Sequence, residues 1–229
     1  WEGALIVDRT ALDAAAAQVP DRLKADIRFA HANIRRFAEA FLFELSAGQP
    51  RPFPDAASQP ELKFAFGMTV DAQNRLWLTC PATLDRARTR LIAYDLGENR
   101  KVIDHELPRG VGRFAQDLRV APDGKTLYVA DIGAGKTYAY QIEPDGTLSH
   151  RRLFCSMGSD GMTIDAEGNV YLTGRGVTVF NSSGEKIENF PIPEPWTANV
   201  TFGGPQRDLL FITASGNVYG VRLRVRGAG

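Results

Sequence analysis

The sequence predicts a mainly β fold, a partial or small β-propeller of about four blades, preceded by an N-terminal α-helical arm. Four short segments of similar pattern recur at spacings of 50, 44 and 38 residues. Each is followed by a polar turn and an apolar strand, and strands in fours at this period are typical of propeller blades. The first fifty residues instead have apolar residues at helical spacing.

The N-terminal segment, residues 1–50, is predicted to be the helical arm. Thr10 is a suitable N-cap, Val19-Pro20 ends a first helix, and a second begins at Pro20-Asp21. The second helix carries one apolar stripe at steps of three and four, formed by Leu23, Ile27, Ala30, Ile34, Phe37, Phe41 and Leu45. We expect this stripe to pack on the propeller or on a second copy, which makes the arm a candidate for homo-oligomer formation. Prolines then mark residues 51–60 as a linker.

Residues 61–229 are predicted to form the propeller-like domain. The aligned segments that open each unit begin at Gly67, Asp117, Gly161 and Asn199. Units one to three contain four strands each, whereas the fourth lacks an obvious fourth strand, so that another segment must close it. A β-sandwich with similar hairpins is the alternative, but it does not require a repeated inner strand.

Composition excludes several classes of function. The chain has 229 residues and a net charge of zero, which argues against a nucleic-acid partner. It contains no run of 18 apolar residues, so no membrane span is expected. The two cysteines, Cys80 and Cys155, do not fix the compartment, and no signal peptide precedes the first element. We expect a soluble protein of unassigned location.

The second half of the chain resembles the SMP-30/gluconolactonase family of six-bladed propellers. The likeness covers about residues 117–229 and rests on Ala121–Asp131, Gly158–Asp165 with Gly168–Leu172, and Pro195–Gly204. Residues 62–116 have a weaker similarity to yellow/royal-jelly-type propellers. Residues 10–40 are similar to a helical stretch of histidinol dehydrogenases, without that family's cofactor or metal residues.

The family resemblance implies one divalent cation at the mouth of the central channel, held by oxygen ligands. Asp160 matches the family's Asp and is the predicted catalytic residue and principal ligand. Gln116 stands where the family has Asn, and Asp117 and Asn199 are further candidate ligands. Phe66 occupies the corresponding position of the first unit, and the family's Glu lies in a blade that this chain lacks. Ca²⁺ is the expected ion, with Zn²⁺ or Mg²⁺ as alternatives.

Each candidate ligand also has a structural interpretation. Asp160 could cap a strand start, Gln116 could be a solvated rim residue, and Asn199 could bond the backbone of a neighbouring blade. The resemblance therefore predicts a metal-dependent lactonase-like hydrolase with a depleted ligand set, acting on a sugar lactone or related ester. The alternative is a non-catalytic propeller that serves as a binding scaffold, with the helical arm for docking.

Overall fold

The computed structural model describes residues 65–81, 89–108 and 114–228, together with three strands, Ala4–Val7, Phe43–Ser46 and Gln49–Pro52. No helix occurs among these residues, and hence none that is long and apolar enough to cross a membrane. The described fold is mainly β, as predicted. We number its strands in chain order, with β1 at Ala4–Val7 and β2 and β3 forming an antiparallel hairpin at Phe43–Ser46 and Gln49–Pro52.

The other fifteen strands, with β1, form four antiparallel sheets of four strands each. Blade one contains β4 (Met68–Val70), β5 (Arg75–Pro81), β6 (Thr89–Asp95) and β7 (Arg100–Glu106). Blade two contains β8 (Ala115–Val120), β9 (Thr126–Asp131), β10 (Lys136–Ile142) and β11 (Leu148–Cys155). Blade three contains β12 (Met162–Ile164), β13 (Val170–Gly174), β14 (Gly176–Phe180) and β15 (Lys186–Phe190). Blade four contains β16 (Thr197–Gly203), β17 (Leu209–Ala214), β18 (Asn217–Arg222) and β1.

The missing fourth strand of blade four comes from the N-terminal segment. β1 pairs antiparallel with β18, with Ala4 opposite Val221 and Val7 opposite Val218. These four residues lie in the segment 1–50 that sequence analysis assigned to the helical arm, and so does strand β2, whereas β3 begins in that segment and ends at Pro52 in the predicted linker. The rest of the arm, residues 8–42 with most of the apolar stripe, lies outside the described residues.

Hydrophobic clusters fill the space between consecutive blades. Trp77 of blade one packs with Leu118 of blade two, and Tyr128 of blade two lies in one cluster with Met162 of blade three. A third cluster joins blades three and four, with members from β13, β14, β16 and β17. Fully burying one large apolar side chain stabilises the fold by about 1.5–3 kcal/mol, so the burial of these clusters is the main interaction that holds neighbouring blades together.

Two aspartates fix the hairpins after the inner strands of blades one and three. Asp71 accepts the backbone N–H of Arg75 at 2.9 Å and the indole N–H of Trp77 at 2.7 Å. Asp165 likewise accepts the backbone N–H of Asn169 at 2.9 Å. Both carboxylates are thus committed to hairpin turns, and neither is a candidate ligand at the channel mouth.

The C-terminal tail returns from blade four to the innermost strand of blade three. Gly227 forms an isolated antiparallel bridge with Asp165, and the Ala228 N–H donates to the Ile164 carbonyl at 3.0 Å. The tail therefore covers one end of β12, at the end of the channel away from residue 160.

Candidate functional site

The entrances to the inner strands repeat one hydrogen-bond pattern. The residue that begins each aligned segment in blades one, three and four donates its backbone N–H to a threonine hydroxyl on the next strand, over 2.9, 3.0 and 3.1 Å. These pairs are Gly67 with Thr79, Gly161 with Thr173, and Asn199 with Thr213. The repeat therefore places the preceding residues at one level of the channel mouth, namely Phe66, Gln116, Asp160 and Ala198.

Adjacent inner strands approach so closely that glycine is required at two of these entrances. A Cβ added to Gly67 would lie 2.6 Å from the Cα of Asp117, and one added to Gly161 would lie 2.7 Å from the Cα of Asn199. Both distances are shorter than real side-chain contacts. The close approach brings the entrance residues of neighbouring blades together.

Asp160 and Gln116 meet at this mouth, as their positions in the repeat predict. The side chains of Trp196 and Gln116 lie close enough to the half-buried Asp160 carboxylate to affect its pKa. Burial raises the pKa of the Asp160 carboxyl above its usual value, and these two side chains oppose the rise. The site thus contains a partly desolvated carboxylate whose charge is stabilised by two neutral side chains.

The amide oxygen of Gln116 lacks a hydrogen-bond donor among the described residues. This Oε1 is buried, and the side chain lies near Asp160. A buried acceptor left unsatisfied costs about 1–3 kcal/mol. A cation beside Asp160 would favour an orientation of the amide with its oxygen beside the carboxylate.

Asp117 joins three inner strands. Its Oδ2 accepts the backbone N–H of Met162 in blade three at 2.9 Å, and its Oδ1 accepts the N–H of Leu118 at 2.8 Å. Arg119 donates to the same Oδ1 at 2.7 Å, and the Asp117 backbone packs on Gly67 of blade one. Burial raises the pKa of the Asp117 carboxyl, and Arg119 and the two N–H groups counteract it.

Asn199 lies at the equivalent position of blade four. Its Oδ1 accepts the N–H of Val200 at 2.8 Å, just as Asp117 does with Leu118. The residue is exposed, and its side chain lies against Gly161 of blade three. Asp117 and Asn199 therefore occupy joints between blades, one residue further along their strands than the Asp160–Gln116 pair.

A buried network holds the segment that carries Asp160. The Ser159 hydroxyl donates to the Gly161 carbonyl at 2.5 Å and accepts the backbone N–H of Thr173 at 2.7 Å. The Thr173 hydroxyl in turn reaches the Ala198 carbonyl of blade four at 3.2 Å. Residues on both sides of Asp160 are thus fixed to β13, which orients the carboxylate.

Sequence analysis missed two features of this site. Trp196 lies in a stretch that it singled out, but only the structure shows that its side chain lies near Asp160 and lowers the pKa of that carboxyl. Phe66 packs edge-to-face on Phe114, with ring centroids 5.6 Å apart, so that the wall of the mouth at blade one is aromatic. The sequence signal for this wall was that Phe66 stands at the repeat position where units two and three have the polar residues Gln116 and Asp160.

The donors present suit a weak site for a hard cation. Within the described residues, no group of three or more His, Cys, Asp or Glu side chains is placed to hold a metal ion. The oxygen donors at the mouth are one carboxylate and one unsatisfied amide oxygen, the types that Ca²⁺ and Mg²⁺ prefer. This set fits a cation that keeps much of its coordination for water or substrate.

Four four-stranded sheets, with inner strands around a common channel, define a protein of the β-propeller class. The family described as SMP-30/Gluconolactonase/LRE-like region matches residues 38–216, and the chain belongs to this family. The match confirms the family likeness that the second half of the sequence shows.

Curated relatives extend well beyond the region matched here. Regucalcin of Xenopus laevis is 27% identical over 71% of this chain and 54% of its own length. Lactonohydrolase oryL of Aspergillus oryzae is 29% identical over 48% of this chain and 32% of its own. A histidinol dehydrogenase homologue of Ruegeria pomeroyi is 52% identical over 40 residues, 18% of this chain and 9% of its own. The chain thus spans about half or less of the curated relatives it matches.

The fold has counterparts among solved structures. A calcium-binding protein, regucalcin, from Agrobacterium tumefaciens superposes with a TM-score of 0.64 and 18% identity, covering 84% of this chain and 71% of that one. At this identity the similarity shows the propeller fold alone.

Proposed function

We propose that the protein is a lactone hydrolase whose site is the Asp160–Gln116 pair at the channel mouth. The observation that carries the proposal is that Gln116, whose buried Oε1 is unsatisfied, places its side chain near the Asp160 carboxylate. Family membership supports the class of reaction, because one relative is a lactonohydrolase. The substrate class is a sugar lactone or related ester.

In the proposed reaction Asp160 accepts a proton from a water molecule while the oxygen of that water attacks the lactone carbonyl carbon. The ring C–O bond then breaks, the ring oxygen takes up the proton that Asp160 had accepted, and a hydroxy acid leaves. A divalent cation bound by Asp160 and Gln116 would polarise the carbonyl oxygen. Trp196 and the Ser159 network keep the Asp160 carboxylate oriented toward the mouth.

The proposal includes a preference for Ca²⁺, with Zn²⁺ and Mg²⁺ as alternatives, and a weak affinity. Only one of the two proposed ligands is charged, and Ca²⁺ affinity increases with the number of charged ligands and with rigidity. Asp117 and Asn199 are proposed to hold the blades in place rather than to contact the ion directly, because their oxygens are already bonded to backbone N–H groups. Hydrolysis should therefore increase with added cation at about millimolar concentration.

The test combines calorimetric titration of Ca²⁺, Zn²⁺ and Mg²⁺ with assays of five- and six-membered lactones. Asp160→Asn should lower cation affinity by at least about tenfold and abolish hydrolysis, because it removes the charge and the proton acceptor. Gln116→Leu should weaken cation binding, so that more cation is needed to reach the wild-type rate of hydrolysis. Asp123→Asn, at an exposed hairpin, is the matched control and should behave as wild type. Turnover that persists in chelator, or equal ion affinity in wild type and Asp160→Asn, would disprove this assignment.

A further inference from the structure

A second polar cavity lies at the other end of the channel. It has a volume of about 180 Å³ and is lined by the inner strands of all four blades. One repeat position contributes a side chain from each strand, namely Thr69, Arg119, Thr163 and Thr201, and Arg207 and Ala228 complete the wall. These positions lie three residues beyond the mouth, which is about 10 Å along a strand.

Arg119 presents unused donors to this cavity. Its Nη1 donates to Asp117 Oδ1 at 2.7 Å, to the Leu118 carbonyl at 2.6 Å and to the Met68 carbonyl of blade one at 3.2 Å. Its Nε–H and Nη2–H groups have no partner among the described residues, and the side chain is 20% exposed. The guanidinium is thus held firmly by one nitrogen, while the others remain available to a ligand.

Three hydroxyl groups surround the same space. Those of Thr69 and Thr163 make no hydrogen bond with the rest of the described chain, and that of Thr201 makes only a 3.5 Å contact with the Phe202 carbonyl. A hydroxyl rotates freely and can donate to an acceptor placed at the centre. Donors therefore converge from four strands.

The charges around the cavity favour an anion. No carboxylate lines it among the described residues, and the carboxylate of Asp117, two residues before Arg119, is paired with that arginine. Arg207, whose guanidinium contacts the Ala228 carbonyl, adds a second positive charge without a carboxylate partner in the described structure. The net charge of these groups is positive, so a cation is disfavoured here.

We propose that this end of the channel binds a small tetrahedral oxyanion such as inorganic phosphate. The cavity volume of about 180 Å³ is far above the roughly 10–15 Å³ that a single water molecule needs on this measure, so an ion of five heavy atoms can enter. A tetrahedral ion can accept hydrogen bonds from four strands at once, whereas a planar carboxylate has only two oxygens to offer. The site is separate from the proposed lactonase site and does not depend on it.

The test is calorimetric titration with inorganic phosphate at constant ionic strength, with acetate as the comparison ion. Arg119→Gln should lower phosphate affinity by at least about tenfold, because a charge-assisted donor pair is lost. Thr163→Val keeps the side-chain shape and should lower it about threefold. Arg222→Gln, an exposed arginine paired with Asp208 on β18, is the matched control and should bind phosphate as wild type does.

A melting-temperature series provides the second measurement. Phosphate should raise the melting temperature of wild type above that in chloride of equal ionic strength, and less so for Thr163→Val. If Arg119→Gln does not fold, because Asp117 is left unpaired, Thr163→Val and Arg207→Gln decide the question. Absence of phosphate binding by wild type, equal binding by these variants, or equally tight binding of acetate would each overturn the proposal.

Discussion

The Asp117 carboxylate accepts the backbone N–H of Met162 at 2.9 Å, a hydrogen bond between the inner strands of blades two and three. The same side chain is 7% exposed and is paired with Arg119, which reaches the Met68 carbonyl of blade one. One residue thus links three blades directly beneath the proposed site. The geometry of the Asp160–Gln116 pair depends on this joint.

Replacing Asp117 should destabilise the whole domain. Asp117→Ala leaves two buried N–H groups unsatisfied and Arg119 without its partner, which we expect to cost about 3–5 kcal/mol of unfolding free energy. Chemical denaturation measures this loss. Asp104→Ala, which removes an exposed ion-pair partner of Arg90 and Lys101, should cost about 1 kcal/mol or less. Equal losses in the two variants would contradict the assignment of Asp117 as a joint.

Gly161→Ala tests the close approach of blades three and four. The added Cβ would meet the Asn199 Cα at 2.7 Å, so one strand must move, at a cost of about 1–3 kcal/mol. Gly216→Ala is the control, because a Cβ there meets nothing within 4 Å. Thermal melting should separate the two variants, and an unchanged melting temperature for Gly161→Ala would show that the blades are less tightly apposed.

Ser159→Ala tests the support behind Asp160. The variant removes the Ser159 hydroxyl as an acceptor of the Thr173 N–H, which keeps its 3.1 Å bond to the Gly161 carbonyl, and it also removes the bond from that hydroxyl to the same carbonyl. The loss should cost about 0.5–1.5 kcal/mol for each hydrogen bond and also weaken cation binding, because the Asp160 segment is less firmly held. Cation titration of the folded variant shows whether Ser159 positions the Asp160 carboxylate or only stabilises the fold. Ser156→Ala, at an exposed serine nearby, should change neither quantity. Wild-type cation affinity in Ser159→Ala would show that Ser159 does not position Asp160.

The raised pKa of Asp160 predicts how cation binding depends on pH. Because burial stabilises the neutral carboxyl, protons compete with the cation up to a higher pH than at an ordinary aspartate. Affinity should fall as the pH decreases through this raised pKa. Without a cation the sign for stability is opposite, since the folded state holds this proton more tightly and loses stability as the pH rises through the same interval. Titrations of wild type and Asp160→Asn over this range check both effects.

Deleting residues 1–7 should leave the edge of β18 unpaired. We expect a lower melting temperature and aggregation, because an open strand edge pairs with other chains. Light scattering during thermal melting measures both effects. A synthetic peptide of residues 1–10 should restore solubility by adding the missing strand in trans. A truncated chain that melts and scatters as the full chain does would show that β1 contributes little to blade four.

The repeat made the core of the site predictable. Gly67, Asp117, Gly161 and Asn199 align in sequence, so the residues before them had to share one level of the channel, and Asp160 does meet Gln116 there. The bonding of Asp117 could not be predicted in the same way. A carboxylate beside a candidate ligand has the same sequence signature whether it faces an ion or the N–H groups of two blades.

The N-terminal strand was beyond the reach of sequence reasoning for a different reason. Four residues, Ala4–Val7, carry no periodicity that distinguishes a strand from the start of a helix. Their pairing with β18 depends on the edge that the last blade leaves open, which is a property of the assembled sheet. The indole of Trp196 is similar, since its contact with Asp160 depends on how blade four packs on blade three.

The pairing of β1 with β18 also shapes the order of assembly. Ala4 and Val221 are separated by most of the length of this sequence, yet they lie opposite each other in one sheet. Such a contact has a very long loop to close, so its formation is slow compared with the local hairpins of blades one to three. During synthesis β1 cannot pair until β18 has been translated, so the nascent chain exposes an unpaired strand until that point.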